Sequence, residues 1–220
     1  MKTHHSQNYP LLSALLFFFF VCWSSSGSQL SIWLHQEVGL KPGDTGIIYA
    51  VLSVSALFAQ VCYGFIQDKL GLRKNLLWYI TVLLILSGPA YLLFGYLLKI
   101  NVLLGSIFGG IYIGLTFNGG IGVLESYTER VARQSQFEFG KARMWGSLGW
   151  AVATFFAGLL FNINPKLNFA VASCSGLVFF ILLARLRVFS ASQAMEEAVA
   201  GGKVTLEDAL RLLTLPRFWA

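Results

Sequence analysis

The chain has 220 residues, 56% of them apolar and 12% charged, with a formal net charge of +6. A soluble domain carries roughly 25% charged residues, so an ordinary soluble fold is excluded, whereas six membrane-spanning helices of about 20 residues each fit the length and leave residues for loops and a tail. The three cysteines, Cys22, Cys62 and Cys174, each lie inside an apolar run, which excludes a secreted disulfide framework and reads as packing of small apolar groups. No Cys/His spacing suits a metal, and nothing implies a cofactor.

Apolar stretches predict spans over about 10–34, 45–67, 75–98, 102–128, 139–162 and 167–188, an all-α integral membrane bundle of six transmembrane helices over 1–188. The first span admits a second reading. Lys2, the apolar run from Leu11 to Cys22 and the small residues Ser24 to Ser28 resemble a signal peptide. Leu30, Ile32, Trp33 and Leu34 prolong the stretch to spanning length, so it is expected to stay as a helix. It carries Phe20 and Trp23 beside Ser24, Ser25, Ser26, Gly27, Ser28 and Gln29. Small residues at i, i+4 favour close helix packing, and a polar wall along a pathway is the alternative.

Between the second and third spans, Gly64-Phe65-Ile66-Gln67-Asp68-Lys69-Leu70-Gly71-Leu72-Arg73-Lys74 fits the pattern G-x-x-x-D-[KR]-x-G-x-[KR]-[KR]. One reading is a set of basic anchors and turn glycines. The other is a conformational latch: Gly64 permits close helix approach, Gly71 takes a left-handed turn, and Asp68 at a helix end pairs with a base or a neighbouring terminus. Lys69, Arg73 and Lys74 supply its positive charge.

In the fourth span Glu125 is the one carboxylate well inside an apolar stretch. An ionisable group at that depth costs about 2.5–3.5 kcal/mol on insertion scales and normally faces a partner or a wet cavity. With Glu129 one turn further on, an acid that snorkels from near a helix end is the other reading. Asn118, Gly122 and Glu125 fall at i, i+4, i+7, a candidate cavity wall. Arg130, Arg133, Glu138 and Lys141 follow as solvated charges that set orientation. In the fifth span Arg143, Ser147 and Trp150 repeat the i, i+4, i+7 spacing. A guanidinium offers a rigid fork of donors to vicinal hydroxyls or a carboxylate, and an indole a flat apolar surface for a pyranose ring. The plainer readings are an inner-surface anchor and a packing or belt aromatic. The sixth span, Leu167 to Val188, carries packing residues and no assignable chemistry.

Residues 189–220 form a second region, a polar linker around Gly201-Gly202 followed by Leu206, Leu210 and Leu213 on one helical face behind Thr205 and Asp208. This predicts a short amphipathic helix on the inner surface, and Leu215 to Ala220 reads as the start of a truncated seventh span. With the amino terminus inside, 13 of the 16 basic residues are cytoplasmic and only Lys41, Lys99 and Lys166 are not. That asymmetry places both termini in the cytoplasm. The positive charge therefore reads as topology, so the bilayer is the expected partner and nucleic acid is not.

The loop at 64–74 resembles the signature loop of the major facilitator superfamily. Ile32-Trp33-Leu34-His35, Asp44-Thr45-Gly46-Ile47, Gly109-Gly110-Ile111-Tyr112 and above all Phe137-Glu138-Phe139-Gly140-Lys141-Ala142-Arg143-Met144-Trp145-Gly146 extend the similarity to the oligosaccharide:proton symporters, the lactose, raffinose and sucrose permeases. The polar first span and Trp145-Gly146-Ser147 are more similar to the sucrose branch. The resemblance implies the amino-terminal half of that fold in a cytoplasmic membrane, symport of a disaccharide or oligosaccharide with protons by alternating access, and no enzyme activity. It implies that Glu125 and Arg143 hydrogen-bond a glycosyl ring, that Trp150 stacks on it and that Phe20 matches a sugar-site aromatic. Ile121 stands where the lactose branch has a small alanine. The proton-coupling carboxylates and histidine of that family lie in its second six-helix half, which this chain does not include. A non-transporting sugar sensor or an inactive truncated permease is the other reading of the same residues.

Overall fold

The computed structural model describes residues 2–70 and 73–186. Gly71 and the predicted linker, amphipathic helix and seventh-span start at 189–220 lie outside the described residues. Helix is the regular structure throughout the described residues, as it must be where no water reaches the backbone.

The first span comprises α1 (Lys2–Gly27), α2 (Leu30–Trp33) and a π-helical turn, Leu34–Val38. It ends at Gly39, whose φ of +82° needs a residue without a Cβ. The chain continues with α3 (Pro42–Leu70), then α4 (Asn75–Ile85) and α5 (Ser87–Ile100). The fourth span runs through α6 (Val102–Ile113), a second π turn (Gly114–Gly119) and α7 (Gly120–Ser135), and α8 (Phe139–Ile163) and α9 (Lys166–Arg185) complete the bundle. Five stretches are long and apolar enough to cross a membrane unbroken, and α4 with α5, bent by 59°, makes the sixth. The six predicted spans are therefore present, with the first prolonged to Val38 and the fourth to Ser135.

The bend was not expected from the apolar pattern, which runs straight through 75–98. Its cause is Pro89, which lacks an N–H and whose ring crowds the carbonyl of Ile85. A broken helix in lipid strands peptide groups that need partners, and three neighbours provide them. The Gly88 amide donates to Ser173 Oγ on α9 at 2.8 Å, and the Tyr112 hydroxyl of α6 donates to the Leu83 carbonyl at 2.6 Å. The Cys22 thiol of α1 lies 3.9 Å from the Leu84 carbonyl. Gly176 lets α9 approach: a Cβ there would stand 2.6 Å from the carbonyl carbon of Leu84.

α1 is central, packing along α8 and α9. Ala142, Gly146, Gly149, Ala153 and Ala157 form a buried row on α8, and a methyl on Gly149 would collide with the Phe17 carbonyl of α1. Ser24 answers from α1, donating to the Trp150 carbonyl at 3.1 Å and sharing a 2.7 Å hydrogen bond with Thr154. Close packing, rather than a polar wall, is thus the role of Ser24. By contrast α3 and α8 expose apolar faces, with Leu57, Phe58, Phe155 and Phe156 all more than half exposed, surfaces suited to lipid or to another apolar bundle. Of the cysteines, Cys22 alone is buried; Cys62 and Cys174 are exposed, because both sit on outward faces of their helices and not in the core.

Candidate functional site

Glu125 and Arg143 come from different spans, α7 and α8, and meet: Arg143 Nε donates to Glu125 Oε1 in an ion pair whose side chains are 31% (Arg143) and 33% (Glu125) exposed. The acid therefore faces a partner instead of snorkelling alone. The guanidinium carbon stands 4.4 Å above the Phe20 ring of α1, a cation–π contact worth about 0.5–2 kcal/mol depending on desolvation. Gly146 makes this possible. A Cβ there would lie 2.6 Å from the Phe20 ring and 3.0 Å from Arg143 Nη1, so the small residue one turn after Arg143 leaves room for the ring and the fork together.

Trp150 lies beside this group, with its ring edge-on to Phe20 at 6.1 Å and 72° and to Trp23 at 5.4 Å and 86°. Trp23 in turn stacks on Phe117 at 5.8 Å and 11°. These rings hold the indole in place, and its own nitrogen hydrogen-bonds to no described residue. Trp150, Trp23 and Asn118 line a cleft of about 490 Å³, and Asn118, Gly122 and Glu125 line a neighbouring one of about 350 Å³. The i, i+4, i+7 face of the fourth span is thus a cleft wall. Phe20 is buried to 7% and supports Arg143 and Trp150 from beneath; it lines neither cleft.

Ser147 is exposed and hydrogen-bonds to no described residue. At 100° per residue, Arg143 and Trp150 are about 20° apart around α8, while Ser147 is turned about 40° further from the buried row. Asn118 sits in the π turn, where its Nδ2 lies 3.5 Å from the Ile113 carbonyl at the start of that turn. A regular-helix reading does not anticipate that turn.

In the loop motif, Asp68 pairs with Arg130 at the foot of α7 at 2.9 Å, with side-chain exposures of 72% (Asp68) and 35% (Arg130). An exposed pair of this kind contributes about 0–1 kcal/mol, so it is suited to being made and broken. Gly64 is a correction: a Cβ there meets nothing within 4 Å, because the residue opens onto the smaller of the two clefts, and no helix approaches it closely among the described residues. Lys69 is exposed. Lys74 caps α9, donating to the carbonyls of Leu186 and Leu183, a favourable place for a cation at a helix carboxyl end; burial holds its ammonium pKa below the ordinary value. The Arg73 amide closes the end of α3 on the Leu70 carbonyl at 3.0 Å. Arg133 pairs with Glu129 at 2.5 Å and Lys141 with Glu138 at 3.1 Å, both exposed.

The whole chain, residues 1–220, matches the family described as the LacY proton/sugar symporter. It is 38% identical over 217 residues to the raffinose permease of Escherichia coli, covering 98% of this chain and 51% of that protein. To the lactose permease of Citrobacter freundii it is 42% identical over 192 residues, 86% of this chain and 46% of the other. To the sucrose permease of Escherichia coli it is 38% identical over 213 residues, 96% of this chain and 50% of the other. The chain spans about half the length of these curated relatives.

Proposed function

Because the chain belongs to the LacY proton/sugar symporter family, a family of transporters and not of enzymes, we propose that it forms the amino-terminal six-helix half of a sugar:proton symporter in the cytoplasmic membrane. Both termini lie in the cytoplasm, and a disaccharide or oligosaccharide of the sucrose, raffinose or lactose kind is moved by alternating access with a second six-helix half. The observation that carries this is the Glu125–Arg143 pair, made between two spans with Arg143 over Phe20, whose carboxylate member lines the smaller cleft while Trp150, edge-on to Phe20, lines the larger. A carboxylate accepts from sugar hydroxyls, a guanidinium donates to them, and an indole covers the apolar face of a pyranose. Asn118 adds an amide, and Ser147 contributes a hydroxyl on the exposed side of α8. The motif loop works as the switch, with the Asp68–Arg130 pair made in one conformation and released in the other. Identities of 38–42% to raffinose, lactose and sucrose permeases differ too little to rank the sugars.

The test is uptake of labelled sucrose, raffinose and lactose by cells making the full-length product, with and without a protonophore. Protonophore-sensitive uptake of at least one supports the reading; no uptake of any, with the protein correctly inserted, overturns it. Binding without uptake would select the sensor instead.

A further inference from the structure

The two clefts share two residues, Gln60 of α3 and Asn118 of the π turn. Gln60 was not singled out by its sequence, yet it is an amide near the middle of an apolar span. Several other mid-span polar groups have partners. Thr81, Ser106 and Thr128 bond back to their own helices, Ser24 reaches Thr154, and Asn168 donates to the Ala157 carbonyl at 3.0 Å. Gln60 hydrogen-bonds to no described residue and is exposed where the clefts meet. Asn118 spends one donor on Ile113, and its side-chain oxygen accepts from no described residue. An amide at membrane depth with its donors and acceptor unspent gains from any ligand that supplies both, as a ring of hydroxyls does.

The placement bears on length. The smaller cleft holds Glu125 and the larger holds Trp23 and Trp150. A ring held at Glu125 lies in the smaller cleft, and a second unit that reaches Trp150 in the larger one must pass Gln60 and Asn118. We propose that Gln60, with Asn118, is a specificity-determining residue that hydrogen-bonds the second saccharide unit, so that it favours disaccharides over monosaccharides. This rests on the sugar-binding reading of the Glu125–Arg143 site.

The experiment uses the full-length protein, purified, and whichever of sucrose, lactose and melibiose the unsubstituted protein binds, against the methyl glycosides of that sugar's own rings. Gln60→Leu keeps the bulk and removes the amide. Disaccharide affinity is expected to fall by about tenfold, the worth of one strong neutral hydrogen bond, with the methyl glycoside changed less than about twofold. A second measurement does not depend on that variant folding well. In a background carrying Cys62→Ser and Cys174→Ser, Gln60→Cys should be alkylated by a thiol reagent, with protection by the disaccharide and not by the methyl glycoside. Equal loss for both ligands, no loss for either, or equal protection overturns the proposal while leaving the site reading intact. An unsubstituted protein that binds none of the sugars overturns the site reading, and this inference with it.

Discussion

Arg143→Lys is the substitution that separates charge from shape. It keeps a cation near Glu125 but removes the planar fork that donates to Oε1 and the flat face that lies 4.4 Å over Phe20. A charge-assisted hydrogen bond is worth about 1.5–3 kcal/mol when desolvated, and an exposed pair about 0–1. With both side chains about one-third exposed, the pair belongs between these limits, at about 1–2 kcal/mol. The contact with Phe20 adds about 0.5–1 kcal/mol to Arg143 alone. A lysine keeps the charge but loses the pre-organised fork that donates to sugar hydroxyls, hydrogen bonds from a charged group that are worth about 1.5–3 kcal/mol, so with part of them recovered sugar affinity should fall by about 1–2 kcal/mol, roughly five- to thirtyfold. Titration calorimetry on the purified full-length protein reads this, alongside a cycle of Glu125→Gln, Arg143→Gln and the double substitution. The cycle should give a coupling of about 1–2 kcal/mol. Unchanged affinity in Arg143→Lys, or a coupling below about 0.3 kcal/mol with all variants inserted, would refute the assignment of the pair to the ligand.

Other substitutions probe the frame around the site. Ser173→Ala strands the Gly88 amide at the bend and should cost about 0.6–1.7 kcal/mol, seen as a lowered unfolding midpoint and faster hydrogen exchange at Gly88. Gly149→Leu places a side chain where the Phe17 carbonyl lies; it should separate α1 from α8 and cost about 1–3 kcal/mol or more, while Gly64→Leu, in open space, should be tolerated in the same unfolding assay. Asp68→Asn removes the charge that holds Arg130. Its stability should change by less than about 1 kcal/mol, but the rates at which thiol reagents reach the two sides of the cleft should shift in opposite directions, and unchanged rates would discard the latch.

The number and type of spans were legible because each is a long apolar run, and Glu125, Arg143 and Trp150 were legible because a charge or an indole in such a run has few innocuous roles. What the sequence left hidden depends on departures from the straight helix. Ser87-Gly88-Pro89 signals the bend, but the apolar pattern runs through it, so 75–98 reads as one rod. The close α1–α8 contact is read from the serines of α1, yet its geometry is set by the small row Ala142, Gly146, Gly149 and Ala153 on α8, a periodicity visible in the sequence once sought. Ser147 follows Arg143 at helical spacing but is turned about 40° further from the buried row, which no spacing rule reveals without knowing which face is covered. Gln60 is inconspicuous in the sequence because an uncharged amide is a weaker signal than a carboxylate, and its place shows only in the two clefts it joins.

The π turn at Gly114–Gly119 makes the fourth span depend on keeping its wide winding. A helix holding one surplus residue is out of phase with a regular one of the same length by about 100°. Relaxation of that turn into ordinary winding without loss of a residue would swing the segment beyond it and carry the carboxylate of Glu125 out of line with the guanidinium it now meets, whereas deleting one residue of the turn would remove the surplus and keep the two in line. Substitutions along this stretch change chemistry one position at a time, whereas a change of winding there would rephase an entire wall of the cleft at once.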